Sequence, residues 1–181
     1  EFYISEVKYD RKVLDIKIPN EYKIDIEFDP AQKKYTGKQS VKYINNEDVS
    51  LSEIYFHIYP NAFKNDNTTP YSLDSYIRDF SPGFINVTKV TVEDKEIEYS
   101  ILGEDDTLLK IPLELALAPV KTVEIYMEYE VTLPNAAERF GYGDNTFQIG
   151  NGYPIAAVYD SREWNIDPYY SMGDPFYSDV S

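Results

Sequence analysis

"TVEIYMEYEVT", residues 122–132, decides the fold class. Val123, Ile125, Met127, Tyr129 and Val131 fall on one side of an extended chain, and Glu124, Tyr126, Glu128 and Glu130 on the other. A strand separates two such sets because its successive side chains point to opposite faces, whereas a helix would scatter them. β-Branched and aromatic residues fill most of the apolar positions, which suits a pleated surface buried on one side.

The same period recurs toward the N-terminus. Tyr22, Ile24, Ile26 and Phe28 alternate with Lys23, Asp25 and Glu27. Asp29-Pro30-Ala31-Gln32 supplies turn chemistry. Residues 35–44 resume as a longer strand, with Gly37 expected at a bulge or a close approach. Residues 45–48 form a turn. Ile54, Phe56 and Ile58 then alternate with Tyr55, His57 and Tyr59 until Pro60 ends the strand. Residues 61–82 are irregular, with one short helix expected over 72–80 and Ser72 as its N-cap. Strands are expected at 85–92 and 97–102, joined by the polar turn Glu93-Asp94-Lys95-Glu96, and again at 107–111. Residues 113–118 are apolar but too short to assign. A single polar face on so many strands implies antiparallel sheets packed on one another. The expected fold is all-β, an antiparallel β-sandwich or saddle-shaped domain. From Pro134 onward it continues as long loops rich in Tyr, Gly and Pro. Residues 1–20 read as a lead-in and 21–181 as a single β domain.

Composition removes several function classes. The chain has 181 residues, 43% of them hydrophobic, which is enough for one core. No apolar run approaches the ~18 residues that a membrane helix requires. The sequence opens on Glu1 with no charged-then-apolar leader after it, so any leader is expected to have been removed or left out. The formal charge of -15 repels phosphate backbones and anionic headgroups, making nucleic acid and membrane surfaces poor partners. There is no Cys, hence no disulfide and no thiolate chemistry. The sequons at Asn67 and Asn86 are explained by chance.

Catalytic motifs are equally scarce. A catalytic zinc site draws on three or four ligands dominated by His or Cys. This chain offers a lone His57, read as an ordinary mid-strand residue, so no zinc site is expected within it. No G-x-S-x-G elbow exists for a nucleophilic Ser. "GYGDNTFQIGNG", residues 141–152, lacks the Lys-Ser/Thr ending of a phosphate loop and reads as loop-shaping glycines. Glu104-Asp105-Asp106 reads as a hairpin turn, with a calcium contact as the minor alternative. The aromatic load is more informative: 18 Tyr and 9 Phe. Tyr153, Tyr159, Trp164, Tyr169, Tyr170, Phe176 and Tyr177 fall within 25 residues. Such a group is either a loop mini-core folded over the sheet or a binding surface for sugar rings, a peptide or another domain.

Four phrases carry a resemblance: "YKIDIEFDPAQKKYTGKQSVKYIN", "LSEIYFHIYPNAF", "FQIGNGYPIAAVYDSREWNIDPYY" and "GDPFYSDV". In this order and spacing the chain resembles the N-terminal β domain of the aminopeptidase N family of zinc metallopeptidases, in its bacterial branch. The resemblance runs from about Tyr22 to the end. It implies a noncatalytic domain that packs on a thermolysin-like catalytic domain of the same parent chain. That second domain would hold the zinc, the H-E-x-x-H motif and the G-x-M-E-N loop, none of which is present here. Met127-Glu128 has neither the Gly nor the Asn of that loop. The resemblance also implies that residues 153–179 lie against the catalytic domain and supply a polar group near the amino terminus of a peptide substrate. Asp160 is the first candidate, with Glu163 and Gln148 open; for Asp160 a turn-capping role is the competing one. The β domain is expected to continue past Ser181, leaving a sheet edge that could pair with a second copy as a homodimer. The resemblance leans toward a secreted or membrane-anchored parent. A free-standing carbohydrate- or protein-binding sandwich is the alternative function, and a scaffold without ligand is a third.

Overall fold

The computed structural model describes residues 17–160 and 163–169. Tyr170, Phe176, Tyr177 and the "GDPFYSDV" phrase lie outside the described residues. Eight strands come first: β1 (Glu21–Asp29), β2 (Lys34–Ile44), β3 (Leu51–His57), β4 (Phe84–Val92), β5 (Lys95–Glu96), β6 (Ser100–Leu102), β7 (Leu108–Leu117) and β8 (Thr122–Thr132). Five short ones follow: β9 (Phe140–Tyr142), β10 (Phe147–Ile149), β11 (Ile155–Ala156), β12 (Tyr159–Asp160) and β13 (Glu163–Trp164). They form a five-stranded sheet in the order β1-β2-β8-β4-β5 and a four-stranded sheet in the order β11-β3-β7-β6. β9–β10 and β12–β13 are separate hairpins. Every ladder pair is antiparallel. The domain is all-β, as its period-two patterning dictates.

β8 spans the residues expected of it and sits at the centre of the larger sheet, between β2 and β4. Its five inward side chains are buried and share one core with Ile54 and Phe56 of β3 and Leu109 and Ile111 of β7. On the solvent face, Asp25, Lys38, Glu128 and Lys89 lie in one cross-strand row of alternating sign. Such pairs each contribute a few tenths of a kcal/mol, roughly, and fix register. The Asp29 turn forms as read, its Oδ1 accepting from the backbone N–H groups of Ala31 and Gln32.

Gly37 is the close approach and not a bulge. The β1–β2 and β2–β8 registers run through it unbroken. A Cβ there would lie 2.2 Å from the Tyr129 ring, which occupies the space instead.

Three local expectations fail, each because distant contacts override local pattern. Residues 72–80 make no helix, only a 3-10 turn over Leu73–Ser75 capped by Ser72. Tyr76 leaves that turn extended and bridges to Ala136, while Ser75 Oγ donates to Glu138. Residues 97–102 are not one strand. The chain crosses between sheets there: Ile97 N–H donates to Val90 in the first, and Ser100 pairs with Lys110 in the second. The turn before it is tighter than read, because Val92 already opposes Lys95. Glu93 and Asp94 alone make the loop, with φ 49° and 63°, the signature of a type I′ hairpin. Residues 113–117 continue β7, but Leu117 opposes Leu51 where Pro112 opposes Glu53. Four residues on β7 therefore face one on β3 and bulge outward.

Gly37→Ala should destabilise the fold by about 1–3 kcal/mol, because Tyr129 is buried and its ring has nowhere to go. Urea denaturation checks this. Adding Tyr129→Leu should recover part of the loss, whereas Tyr129→Phe, which keeps the ring, should not.

Candidate functional site

The segment after β10 is tied into the sandwich from the larger sheet. Tyr35 Oη donates to Gly152 O, Gln39 Nε2 donates to Pro154 O at 2.8 Å, and Ala156 N–H donates to Tyr22 Oη at 2.9 Å. Three polar side chains thus grip every second residue, 152, 154 and 156, through the bend at Tyr153 and into β11. Tyr35, Gln39 and Tyr22 all stand on the core face of the five-stranded sheet. Gln39 is fully buried, and Tyr129 Oη donates to its Oε1 at 3.5 Å. Burial pushes the Tyr22 phenol up to about 12 and raises that of Tyr35 further, so both stay neutral donors or acceptors. Gly152 permits the contact, since a Cβ there would lie 2.2 Å from Tyr35 Oη.

Past this clasp the chain turns over β3. Ile155 pairs with His57, and Ala157 N–H donates to Tyr55 O. The β12–β13 hairpin then lies on the outer side of β3, with Trp164 among Tyr43, Tyr55 and Tyr159 at ring distances of 6.3, 5.5 and 5.2 Å. Tyr169 meets Tyr59 and Phe63. β3 is therefore buried on both faces from Ile54 to His57, so its alternation does not mark a solvent face there. The mini-core alternative accounts for Tyr153, Tyr159, Trp164 and Tyr169.

His57 sits under this cover. It is buried, stacked on Tyr59 at 4.6 Å, and its Nε2 is 3.1 Å from the Asn165 carbonyl, to which it donates. Nδ1 is buried with no hydrogen-bond partner among the described residues. Desolvation lowers the imidazole to about 4, against the opposing pull of the Asn165 carbonyl and Asp167. The described residues contain no group of three His, Cys, Asp or Glu arranged to hold a metal. With His57 committed to Asn165, the described residues do not fit a zinc ion. Glu104-Asp105-Asp106 forms the turn read from sequence, Asp105 Oδ1 accepting from Thr107 Oγ1 at 2.7 Å.

Asp160 and Glu163 face each other across the β12–β13 hairpin. Asp160 is half-buried and its Oδ2 accepts from Asn165 Nδ2 at 3.2 Å; Glu163 is exposed. Gln148 stands in a different hairpin, β9–β10, opposite Gly141. The structure brings the first two together and leaves the third apart. Sequence reading missed the clasp, although one signal was present: Gln39 interrupts the otherwise apolar or small inward row Tyr35, Gly37, Val41, Tyr43.

A pH prediction follows from His57. Its folded pKa lies below its unfolded one, so between 6.5 and about 4 the unfolded chain binds a proton that the folded chain refuses. Stability is fully present above this window and falls as pH drops through it, by about 3 kcal/mol. Unfolding free energies of wild type and His57→Phe, measured from pH 7 to 4, should converge by that amount. Parallel pH slopes would refute it.

No family model matches the chain, and no curated protein matches it. Among solved structures it is similar to the M1 zinc metallopeptidase from Deinococcus radiodurans, at 12% identity and TM-score 0.43, covering 64% of this chain and 21% of that one. A mutant form of that enzyme bound to a Tyr-Ser-Ala substrate shows 11% identity, TM-score 0.43 and the same coverage. A two-domain M1 zinc metallopeptidase mutant bound to L-tryptophan shows 12% identity and TM-score 0.43, over 65% of this chain and 21% of that one. The chain thus spans about a fifth of the length of these enzymes, and the likeness is too loose to match residue with residue.

Proposed function

We propose that this chain is a noncatalytic N-terminal β domain of a zinc-dependent aminopeptidase, packed on a catalytic domain elsewhere in its parent. The observation that carries the proposal is the run "FQIGNGYPIAAVYDSREWNIDPYY", residues 147–170. It resembles that family in sequence, and its described part is the clasp and cover of this fold. The all-β architecture agrees with such a domain. Zinc, when bound in the catalytic domain, would activate the attacking water. This chain would contribute one wall of the pocket. Asp160, backed by Asn165, or its neighbour Glu163 would accept a charge-assisted hydrogen bond from the substrate's free ammonium group. A sugar-binding module is less well supported, because Trp164 packs against Tyr55 of β3 and against Tyr159, and Tyr169 packs against Tyr59.

The test begins with the gene: an H-E-x-x-H should follow within a few hundred codons of Ser181, and its absence would sink the proposal. In the parent enzyme, Asp160→Asn or Glu163→Gln should raise KM for an aminoacyl anilide about ten-fold or more, with kcat nearly unchanged. Unchanged KM in both variants removes the substrate contact while leaving the domain assignment. The 181-residue chain alone should show no zinc-dependent cleavage of the same substrate.

A further inference from the structure

Far from the clasp, the β4–β5 hairpin and the β7 bulge face each other across a cavity of about 350 Å³. Val92, Ile97, Leu113, Leu115, Leu117 and Val123 give it apolar walls. Lys95 is tied to Glu114 across the opening, which holds the bulge against the hairpin. Leu115 on the bulge is 86% exposed and Val120, in the connection between Leu117 and Val123, is 73% exposed. These are the two most exposed large apolar side chains among the described residues. Val120 also holds φ 59°, a left-handed conformation that suits Gly or Asn and disfavours a β-branched residue. Leu115 thus presents an outward apolar side chain on the wall of the groove itself, the pattern of a contact surface and not of a core.

The surroundings specify the chemistry of the occupant. Glu93 lines both this groove and an adjoining dish of about 450 Å³, which also presents Asp94 and Glu124. Glu114 stands on the opposite wall. Two cations also line these walls, Lys95, paired with Glu114 at the groove, and Lys89 in the dish, opposite Glu128 on the neighbouring strand, so Glu93, Asp94 and Glu124 set the balance. Both walls are strand edges: β5 is the outer strand of its sheet, and β6 covers β7 only as far as Lys110. A second copy would bring the same carboxylates and a further charge of -15 against them. We propose that this groove docks an extended polypeptide segment whose apolar side chain enters between Leu113 and Ile97, with Lys or Arg on both sides of it meeting Glu93, Asp94, Glu114 and Glu124.

Methyl and amide NMR titration of the chain tests this with three capped pentapeptides: Lys-Lys-Leu-Lys-Lys, Lys-Lys-Ser-Lys-Lys and Glu-Glu-Leu-Glu-Glu. The first should shift the methyls of Val92, Ile97 and Leu115 saturably. The other two should bind at least ten-fold more weakly. Leu115→Asp, at a position that supports no core, and Glu93→Lys should each weaken the first peptide at least ten-fold while leaving the remaining spectrum in place. Equal binding of the Ser peptide would reduce the surface to bulk charge and overturn the proposal. So would absence of groove shifts with the Leu peptide. Self-association abolished by Leu115→Asp would assign the groove to a second copy, which also overturns it.

Discussion

The structure depends on three hydrogen bonds, two of them buried and one half-buried, between the larger sheet and one segment of chain. Tyr35, Gln39 and Tyr22 reach the backbone of Gly152, Pro154 and Ala156 from the core face of the sheet. An unpaired buried carbonyl or amide costs about 1–3 kcal/mol, so the segment has strong reason to hold this place and register. Pro154 sharpens the constraint. It has no N–H, so its carbonyl is its only backbone hydrogen-bonding group, and Gln39 takes it. Gln39 has no apolar substitute that would leave Pro154 satisfied. The same segment pairs with β3 of the smaller sheet, so the clasp also joins the two sheets along one side.

Everything beyond Ala156 inherits its position from that anchor. Because the chain leaves β11 beside β3, the next residues can only fold across the outer face of β3. Tyr55, His57 and Tyr59 lie there and lose their water to Trp164, Asn165 and Tyr169. This is why a strand with polar-looking alternation is buried twice over, and why its imidazole is held neutral. The aromatic excess serves the same end. Tyr and Trp bury large apolar area while keeping a polar tip that can find a partner, so a thin covering layer can be built without a second sheet. Phe63 links this layer to the main core through Tyr169 on one side and Phe140 on the other.

What the sequence shows directly is whatever a local period can encode. β2 and β8 alternate cleanly because each has one face on the core and one on water; β1, at the sheet edge, keeps the sequence alternation but leaves Ile26 exposed, and the ends of all three fall within a residue or so of the reading. Local pattern says nothing about partners, and the misses are all of that kind. Ser72 does cap a turn, but Tyr76 is drawn away to Ala136 before a helix can propagate. Residues 97–102 are apolar enough for one strand, yet they must cross from one sheet to the other. The β7 bulge is set by register against β3 and has no signature in "LELA". Of the candidate site, Asp160 and Glu163 share a hairpin, as their three-residue spacing allows; that Gln148 stands in another hairpin could not be seen without the fold.

The hairpin carrying those two carboxylates gains its order from behind. Trp164 is the cross-strand partner of Tyr159, and its ring is wedged against β2 and β3 through Tyr43 and Tyr55. Asn165 fixes the hairpin at a second point, its N–H bonded to Val158 O and its side chain to Asp160. Its carbonyl is held by His57. One residue thus connects the buried imidazole, the edge of the clasp and the carboxylate. A group that must meet a small cation accurately needs a supporting shell that leaves its rotamer little freedom. Asp160 has such a shell and exposed Glu163 does not. Within the proposed function, the contact to the substrate's ammonium group is therefore assigned first to Asp160, and Glu163 would add charge without direction.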